Sequence, residues 1–179
     1  MSVLTPTCYS KRITVVSPPI LFDEGVRVIL LDVDNTLTTH GSPDFADDVR
    51  QWLAEAKTVG LRPIIVSNNR RTRVVPFASK LDLPCISWAW KPLPFGYLRA
   101  MKRLGAKRKE TVVIGDQLFT DILGASCLRI RTILCQPLQP EDGPFFRLKR
   151  RLERRILRKV SPIAHRAEFE ATYREFTKN

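Results

Sequence analysis

The sequence predicts an α/β protein built on an open, mostly parallel sheet of five strands. Short, continuously apolar runs alternate along the chain with stretches in which apolar residues recur at helical spacing. Each run has the length of a strand buried on both faces, as in a parallel sheet covered by helices. Polar residues follow several of these runs, at the edge of the sheet where such folds bind ligands.

The predicted strands share a short apolar run, and the predicted helices share apolar residues three or four positions apart. The strands are Arg27–Val33, Arg62–Val66, Cys85–Trp88, Thr111–Ile114 and Ile130–Cys135, and the helices between them span 44–59, 70–81, 95–104 and 120–126. For a chain of 179 residues we predict one domain over 26–138. An N-terminal extension over 1–25 would wrap it loosely, and a tail would occupy 139–179.

Positive charge is concentrated in the tail. The chain has 30 Lys and Arg against 18 Asp and Glu, a net charge of +12, and residues 147–179 hold 11 of the basic and 4 of the acidic residues. A basic helix with one apolar stripe is predicted over 145–160, and a last helix over 168–176. Such a helix is typical of proteins that bind an anionic membrane surface. The alternative is that the apolar stripe packs on the domain and the arginines are solvated.

The sequence also bears on localisation. No stretch approaches the roughly 18 apolar residues of a membrane span, and the first residues lack the features of a signal peptide. We therefore expect a cytoplasmic protein that can also be peripheral at the inner membrane face. The cysteines lack paired C-x-x-C spacing, so free thiols are expected at Cys8, Cys85, Cys127 and Cys135.

Two aspartates one residue apart follow the first apolar run. Asp32 and Asp34 come directly after residues 28–31, and the alternation of an extended chain aims both side chains to the same side. Two carboxylates this close are costly unless a cation lies between them, and Mg²⁺ is the natural occupant because it binds carboxylates together with substrate phosphate. The alternative is structural: Asp32 would cap a helix and Asp34 would form a turn.

Polar side chains follow three further strands. They are Ser67, then Lys91, then Asp116 with Asp121 five residues on. Because parallel strands bring their carboxyl ends to one edge, these groups are expected to converge with the first two aspartates. A nucleophilic carboxylate, a neighbouring proton shuttle, a hydroxyl, an ammonium and further carboxylates for a metal are together what phosphoryl transfer requires.

These motifs resemble those of the haloacid dehalogenase-like (HAD) phosphatases. Asp32-Val33-Asp34-Asn35-Thr36 matches the D-x-D-x-T motif of that family, and the later motifs match in order at Ser67, Lys91 and Asp116 with Asp121. From about 26 to 157 the chain resembles the YqeG-like branch, which is similar to the mitochondrial phosphatidylglycerophosphatases. The resemblance implies a Rossmann-like HAD fold.

The resemblance also implies a role for each residue. Asp32 would attack phosphorus and form an aspartyl-phosphate, while Asp34 would protonate the leaving oxygen and then activate the hydrolytic water. Mg²⁺ would be held by Asp32, the backbone carbonyl of Asp34, and Asp116. The remaining residues would bind or support the phosphoryl group: Thr36, Ser67, Asn68 and Lys91, with Asp121 orienting Lys91 or a metal-bound water.

The spacing of the motifs leaves no room for a sizeable cap domain. Only a short loop separates Thr36 from the helix predicted at 44, and one helix and one strand separate Ser67 from Lys91. An open site excludes water less well, but it admits substrates too large to be enclosed. Together with the basic tail, this favours a phospholipid at an anionic membrane, and the resemblance implies phosphatidylglycerophosphate.

Two other functions remain open from the sequence. The site could act on another large substrate, such as a nucleic-acid end, a nucleotide or a phosphoprotein, because a charge of +12 suits any polyanion. The tail has few aromatic residues on which bases could stack, which makes nucleic acid the less favoured partner. A non-enzymatic RNA- or partner-binding protein is the third possibility, and the complete catalytic set argues against it. The sequence does not indicate an oligomeric state.

Overall fold

Within the residues that the computed structural model describes, six strands form one parallel sheet. The described residues are 4–39, 41–139, 151–153, 155–157 and 161–178. The strands are β1 (Cys8–Ser10), β2 (Val28–Leu31), β3 (Arg62–Val66), β4 (Cys85–Ile86), β5 (Thr111–Gly115) and β6 (Arg131–Cys135). Their order in the sheet is β1-β6-β5-β2-β3-β4, with every neighbouring pair parallel. The predicted α/β fold is therefore confirmed, and β1 is an additional strand.

Helices connect these strands or flank them. They are α1 (Pro18–Asp23), α2 (Asp47–Thr58), α3 (Arg71–Lys80), α4 (Phe95–Leu104), α5 (Leu123–Cys127) and α6 (Arg166–Lys178). A π-helical turn over Leu118–Ile122 leads into α5, and 3₁₀ turns occupy Ile13–Val15 and Arg108–Glu110. α2 begins three residues later than predicted. α3 continues through Pro76, and α6 covers the last predicted helix.

The central strands are buried on both faces because helices cover both sides of the sheet. In β2, Ile29 and Leu31 join one apolar cluster, and Val28 and Leu30 join the cluster on the other face. Burial of each such side chain stabilises the fold by about 1.5–3 kcal/mol. Because both faces are apolar, the register of β2 is set by its hydrogen-bonded pairing, which places Leu31 opposite Ile65 of β3 and Ile114 of β5. The register in turn fixes where Asp32 emerges.

The N-terminal segment belongs to the sheet and to the core, which differs from the expected loose wrapping. β1 pairs with β6 at the edge of the sheet, and Cys8 lies opposite Ile133. The Trp52 indole donates a hydrogen bond of 2.6 Å to the Val16 carbonyl. A strand of three residues carries no periodic pattern of its own, so only its pairing with β6 identifies it.

Part of the tail also packs on the domain. Phe169 and Tyr173 of α6 are fully buried in the larger core cluster. Residues 151–153 and 155–156 are helical, and Glu153 Oε1 accepts a hydrogen bond of 3.2 Å from the Leu118 N–H. The rest of the basic helix predicted over 145–160 lies outside the described residues. No helix in the described part of the chain is long and apolar enough to cross a membrane.

Candidate active site

The carboxyl ends of the strands form a cavity of about 210 Å³. It is lined by Asp32, Asp34, Ser67, Asn68, Asn69, Lys91, Gln117 and Thr120. The predicted residues among these follow β2, β3 and β4, as expected for a parallel sheet. Asp116 and Asp121 are buried next to Asp32, whereas Thr36 is buried in the turn after β2 and does not line the cavity.

Lys91 lies between two buried carboxylates. Its Nζ is 2.5 Å from Asp32 Oδ1 and 2.6 Å from Asp121 Oδ1. Burial by itself lowers the pKa of Lys91. The negative charges of Asp121 and Asp32 together outweigh this effect, so the pKa lies above its ordinary value and the amine stays protonated. Burial raises the pKa of Asp32 to about 7; Lys91 opposes this rise and Asp121 adds to it.

Asp32, Asp116 and Asp121 form a compact group of carboxylates. One oxygen from each lies within 4.8 Å of the others, and all three residues are buried. Three carboxylates beside the Lys91 ammonium are costly to bury unless a further cation compensates their charge. Carboxylate oxygens are also the ligands that Mg²⁺ prefers. These residues therefore fit a divalent cation. Asp121 offers a ligand oxygen to that cation in addition to its predicted position beside Lys91.

The Asp34 carboxylate has a different set of partners. Asn69 Nδ2 donates a hydrogen bond of 2.6 Å to Oδ2, and the Gly41 N–H donates one of 3.0 Å to Oδ1. Arg73 Nη2 lies 3.4 Å from the same Oδ1. The carboxylate of Asp34 is thus held on the wall of the cavity, outside the group that could bind a metal.

Asn69 and Arg73 are residues that sequence reasoning missed. Asn69 directly follows Ser67-Asn68, so its proximity to the site could have been inferred from the strand end. Arg73 lies in the first turn of α3, and nothing in the sequence distinguishes it from Arg70 and Arg71. Arg73 reaches Asp34 only because α3 packs against the turn after β2.

Ser67 and Asn68 arrange the loops around Lys91. The Asn68 side chain accepts a hydrogen bond of 2.7 Å from the Lys91 N–H and donates one of 3.0 Å to the Lys91 carbonyl. Both polar atoms of the Asn68 side chain therefore bind the Lys91 backbone. The predicted contact of Asn68 with phosphate would then be made by its backbone N–H. Ser67 is buried, and its Oγ accepts a hydrogen bond of 3.1 Å from the Asn69 N–H.

Close packing fixes the position of Asp121. A Cβ at Gly115 would lie 2.4 Å from Asp121 Cγ, so only glycine allows β5 to approach this carboxylate so closely. Asp121 Oδ2 accepts a hydrogen bond of 3.2 Å from the Gln117 N–H. The Tyr97 hydroxyl donates one of 3.1 Å to the Thr120 carbonyl. Burial, with Asp121 as the next cause, raises the pKa of Tyr97, which keeps it a neutral donor.

Comparison with known proteins places this chain in a family. A family model described as haloacid dehalogenase-like hydrolase matches residues 44–128. The chain is 37% identical over 160 residues to the probable phosphatase YqeG of Bacillus subtilis (strain 168), covering 89% of this chain and 93% of that protein. The protein therefore belongs to the haloacid dehalogenase-like hydrolases and is a phosphatase of that class. Within the family it falls in the YqeG-like branch, as its motifs predicted.

Two further similarities are more distant. Phosphatidylglycerophosphate phosphatase 1, chloroplastic/mitochondrial, of Arabidopsis thaliana is 27% identical over 162 residues, which span 82% of this chain and 46% of that protein. The crystal structure of 3-deoxy-D-manno-octulosonate 8-phosphate phosphatase from Yersinia pestis gives a TM-score of 0.51 at 14% identity, over 89% of this chain and 83% of that chain. The second similarity concerns the fold alone.

Proposed function

We propose that the protein is a Mg²⁺-dependent phosphomonoester hydrolase that converts phosphatidylglycerophosphate to phosphatidylglycerol through an aspartyl-phosphate. The observation that carries the reaction is the contact of the Lys91 ammonium with Asp32 and Asp121 beside the Asp116 carboxylate. The similarity to the Arabidopsis phosphatase supports the substrate.

Asp32 is the nucleophile in the proposed reaction. Its carboxylate lines the cavity, and its attack forms a P–O bond while the bond from phosphorus to the lipid oxygen breaks. Asp34, positioned by Asn69 and Arg73, gives its proton to that leaving oxygen. The Asp34 carboxylate then accepts a proton from the water that attacks phosphorus and regenerates Asp32.

The remaining groups stabilise the charge of the phosphoryl oxygens. Lys91 and Ser67 line the cavity from neighbouring loops, and their ammonium and hydroxyl groups would bind these oxygens. A divalent cation bound by Asp32 and Asp116, with Asp121 beside them, would supply Lewis-acid neutralisation of the same oxygens. One electrostatic contact of this type is worth a few kcal/mol, or about 10²–10³ in rate, so several must act together.

The open edge of the sheet suits a phosphate that is attached to a large lipid. Within the described residues, α2 begins ten positions after Leu37, and α3 and β4 occupy the chain between Ser67 and Lys91. Neither segment holds a cap domain in that part of the chain. A lipid headgroup could therefore reach Asp32 without a lid having to enclose it.

The proposal is tested by measuring phosphate release from three substrate classes, with Mg²⁺ or with EDTA. These are phosphatidylglycerophosphate, oligonucleotides with 5′ or 3′ phosphates, and a phosphopeptide. We expect the highest kcat/KM on the lipid, and EDTA should abolish it. Equal or faster turnover of an oligonucleotide or phosphopeptide would overturn the lipid assignment, and full activity in EDTA would overturn the metal dependence.

A further inference from the structure

Large apolar side chains are exposed on the segment that carries Lys91. Between 39% and 63% of each is accessible, and we call them the apolar ridge: Trp88, Trp90, Leu93, Phe95 and Leu98. The rings of Trp88 and Trp90 stack, with centroids 6.2 Å apart. A contiguous apolar patch on a protein surface marks a site that binds another molecule.

The backbone of the ridge turns both indoles outward. Trp88 and Trp90 have φ values of +49° and +59°, which bulky residues rarely adopt, and Ala89 between them is fully buried. Arg99 holds this turn by donating a hydrogen bond of 2.7 Å to the Trp88 carbonyl. Exposure of the tryptophans is therefore built into the fold of this segment.

The ridge adjoins the catalytic cavity. Lys91 lies between Trp90 and Leu93 in the chain, and its side chain is buried against Asp32 while theirs are exposed. Asn68 ties the Lys91 backbone to the loop after β3. Any surface that the ridge contacts is thus held next to the mouth of the cavity.

The charge around the ridge indicates what that surface is. Apart from the buried Lys91, the charged residues over 83–106 are Arg99, Lys102 and Arg103, and there is no Asp or Glu. Arg99 and Lys102 of α4 are exposed, and Arg71 and Arg103 line a second cavity of about 280 Å³ beside β4. Anionic lipid headgroups complement this charge, and tryptophan rings favour the headgroup level of a bilayer. A second copy of the chain would instead bring like charges together.

We infer that the apolar ridge docks on a bilayer rich in anionic lipids, inserting its rings at the level of the headgroups. The inference rests on the proposed lipid substrate, because docking here brings headgroup phosphates to the cavity beside Lys91. It assigns membrane contact to a surface of the catalytic domain itself, separate from the basic helix predicted over 145–160.

Tryptophan fluorescence tests the insertion directly. In addition to the ridge tryptophans the chain has Trp52, which is 3% exposed and serves as an internal reference. With vesicles of phosphatidylglycerol and brominated phosphatidylcholine, we expect the full-length protein to lose at least about half of its exposed-tryptophan emission. The double variant Trp88→Phe/Trp90→Phe, which retains only Trp52, should show no quenching although it still sediments with the vesicles. Unquenched emission from the vesicle-bound wild type would overturn the inference.

Vesicle sedimentation tests whether the ridge supplies affinity. Leu93→Ser/Phe95→Ser should weaken binding to phosphatidylglycerol vesicles at least tenfold. The tail variant Leu152→Ser/Ile156→Ser changes exposed apolar residues of the helix predicted to contact the membrane, and the ridge substitutions should weaken binding by the same factor in this background. Thermal melting of each variant verifies folding. Equal affinity of the ridge variant and the wild type for the vesicles would overturn the inference. So would light scattering that shows a wild-type dimer and a monomeric ridge variant, because the ridge would then be a dimer interface.

A separate turnover measurement distinguishes this inference from the proposed function. Phosphate release from soluble short-chain phosphatidylglycerophosphate requires no docking. If the protein binds vesicles through the ridge but releases no phosphate from this substrate, the proposed lipid phosphatase activity is overturned and the docking is supported. Release without vesicle binding would overturn the docking and leave the phosphatase.

Discussion

The side-chain amide of Asn68 bridges both backbone polar groups of Lys91. It accepts from the N–H at 2.7 Å and donates to the carbonyl at 3.0 Å. Asn68 follows β3 and Lys91 follows β4, so this pair of hydrogen bonds fixes one loop to the other. The position of the Lys91 ammonium over Asp32 therefore depends on a residue that does not touch the ammonium.

Asn68→Ala should lower kcat by about 10²-fold, because a misplacement of about 1 Å in a catalytic group has an effect of that size. The change is measured as kcat and KM on a soluble phosphate ester, and we expect kcat to fall more than KM rises. Asn68→Asp keeps the acceptor but sets a second carboxylate oxygen against the Lys91 carbonyl, so its kcat should fall at least as far as that of Asn68→Ala. A wild-type kcat for Asn68→Ala would show that Lys91 is positioned by other contacts.

Gly115→Ala tests the close approach of β5 to Asp121. The added Cβ would lie 2.4 Å from Asp121 Cγ, so that carboxylate must move away from Lys91. We expect a loss of about 1–3 kcal/mol in the free energy of unfolding, as for other overpacked sites, together with reduced kcat. In an Asp121→Gly background the same substitution should have a smaller effect on stability. Equal effects in both backgrounds would contradict the proposed clash.

Mg²⁺ should stabilise the folded protein. A ligand at about 100 times its Kd raises the free energy of unfolding by about 2.7 kcal/mol, which thermal melting detects. Asp116→Asn removes one of the three clustered carboxylates and should abolish most of the shift. Asp82→Asn is the matched control, because Asp82 is exposed, pairs with Lys57 away from the site, and has a positive φ that asparagine tolerates. A full shift in Asp116→Asn would locate the cation elsewhere.

The cysteines should differ in reactivity. Burial raises the pKa of Cys8 to about 12, and burial followed by the charges of Asp116 and Asp121 raises that of Cys135. Because the thiolate is the reactive form, both should resist iodoacetamide at pH 8 in the native protein. Cys127 is exposed and should be alkylated first. Mass spectrometry of the alkylated peptides measures the order, and early modification of Cys8 would mean that β1 opens readily.

The central strands and the strand ends could be predicted from sequence because their signals are local. Continuous apolar runs mark β2, β3, β5 and β6, and each continues into a polar or loop segment. β1 could not be found in this way, since three residues show no periodicity and its partner β6 is more than 120 positions away. The contribution of Phe169 and Tyr173 to the core likewise depends on tertiary packing.

The types of residue in the candidate site could also be predicted, but their pairings could not. The amide of Asn68 binds the Lys91 backbone, and Asp34 binds Asn69 and Arg73. These partners come from different segments of the chain, 23 to 39 residues apart, so no sequence motif records them. Which carboxylates approach one another depends on the register of the sheet and on Gly115.

The most direct test of the account is whether Asp32 carries the phosphoryl group. p-Nitrophenyl phosphate has a leaving group that needs no proton, so with this substrate Asp34→Asn should slow hydrolysis of the intermediate more than its formation. Intact-protein mass spectrometry after acid quenching should then find one added phosphoryl group, labile to hydroxylamine and mapped to the Asp32 peptide. Asp32→Asn should show neither the adduct nor phosphate release above background. Full phosphate release by Asp32→Asn, or an adduct on another residue, would contradict the account.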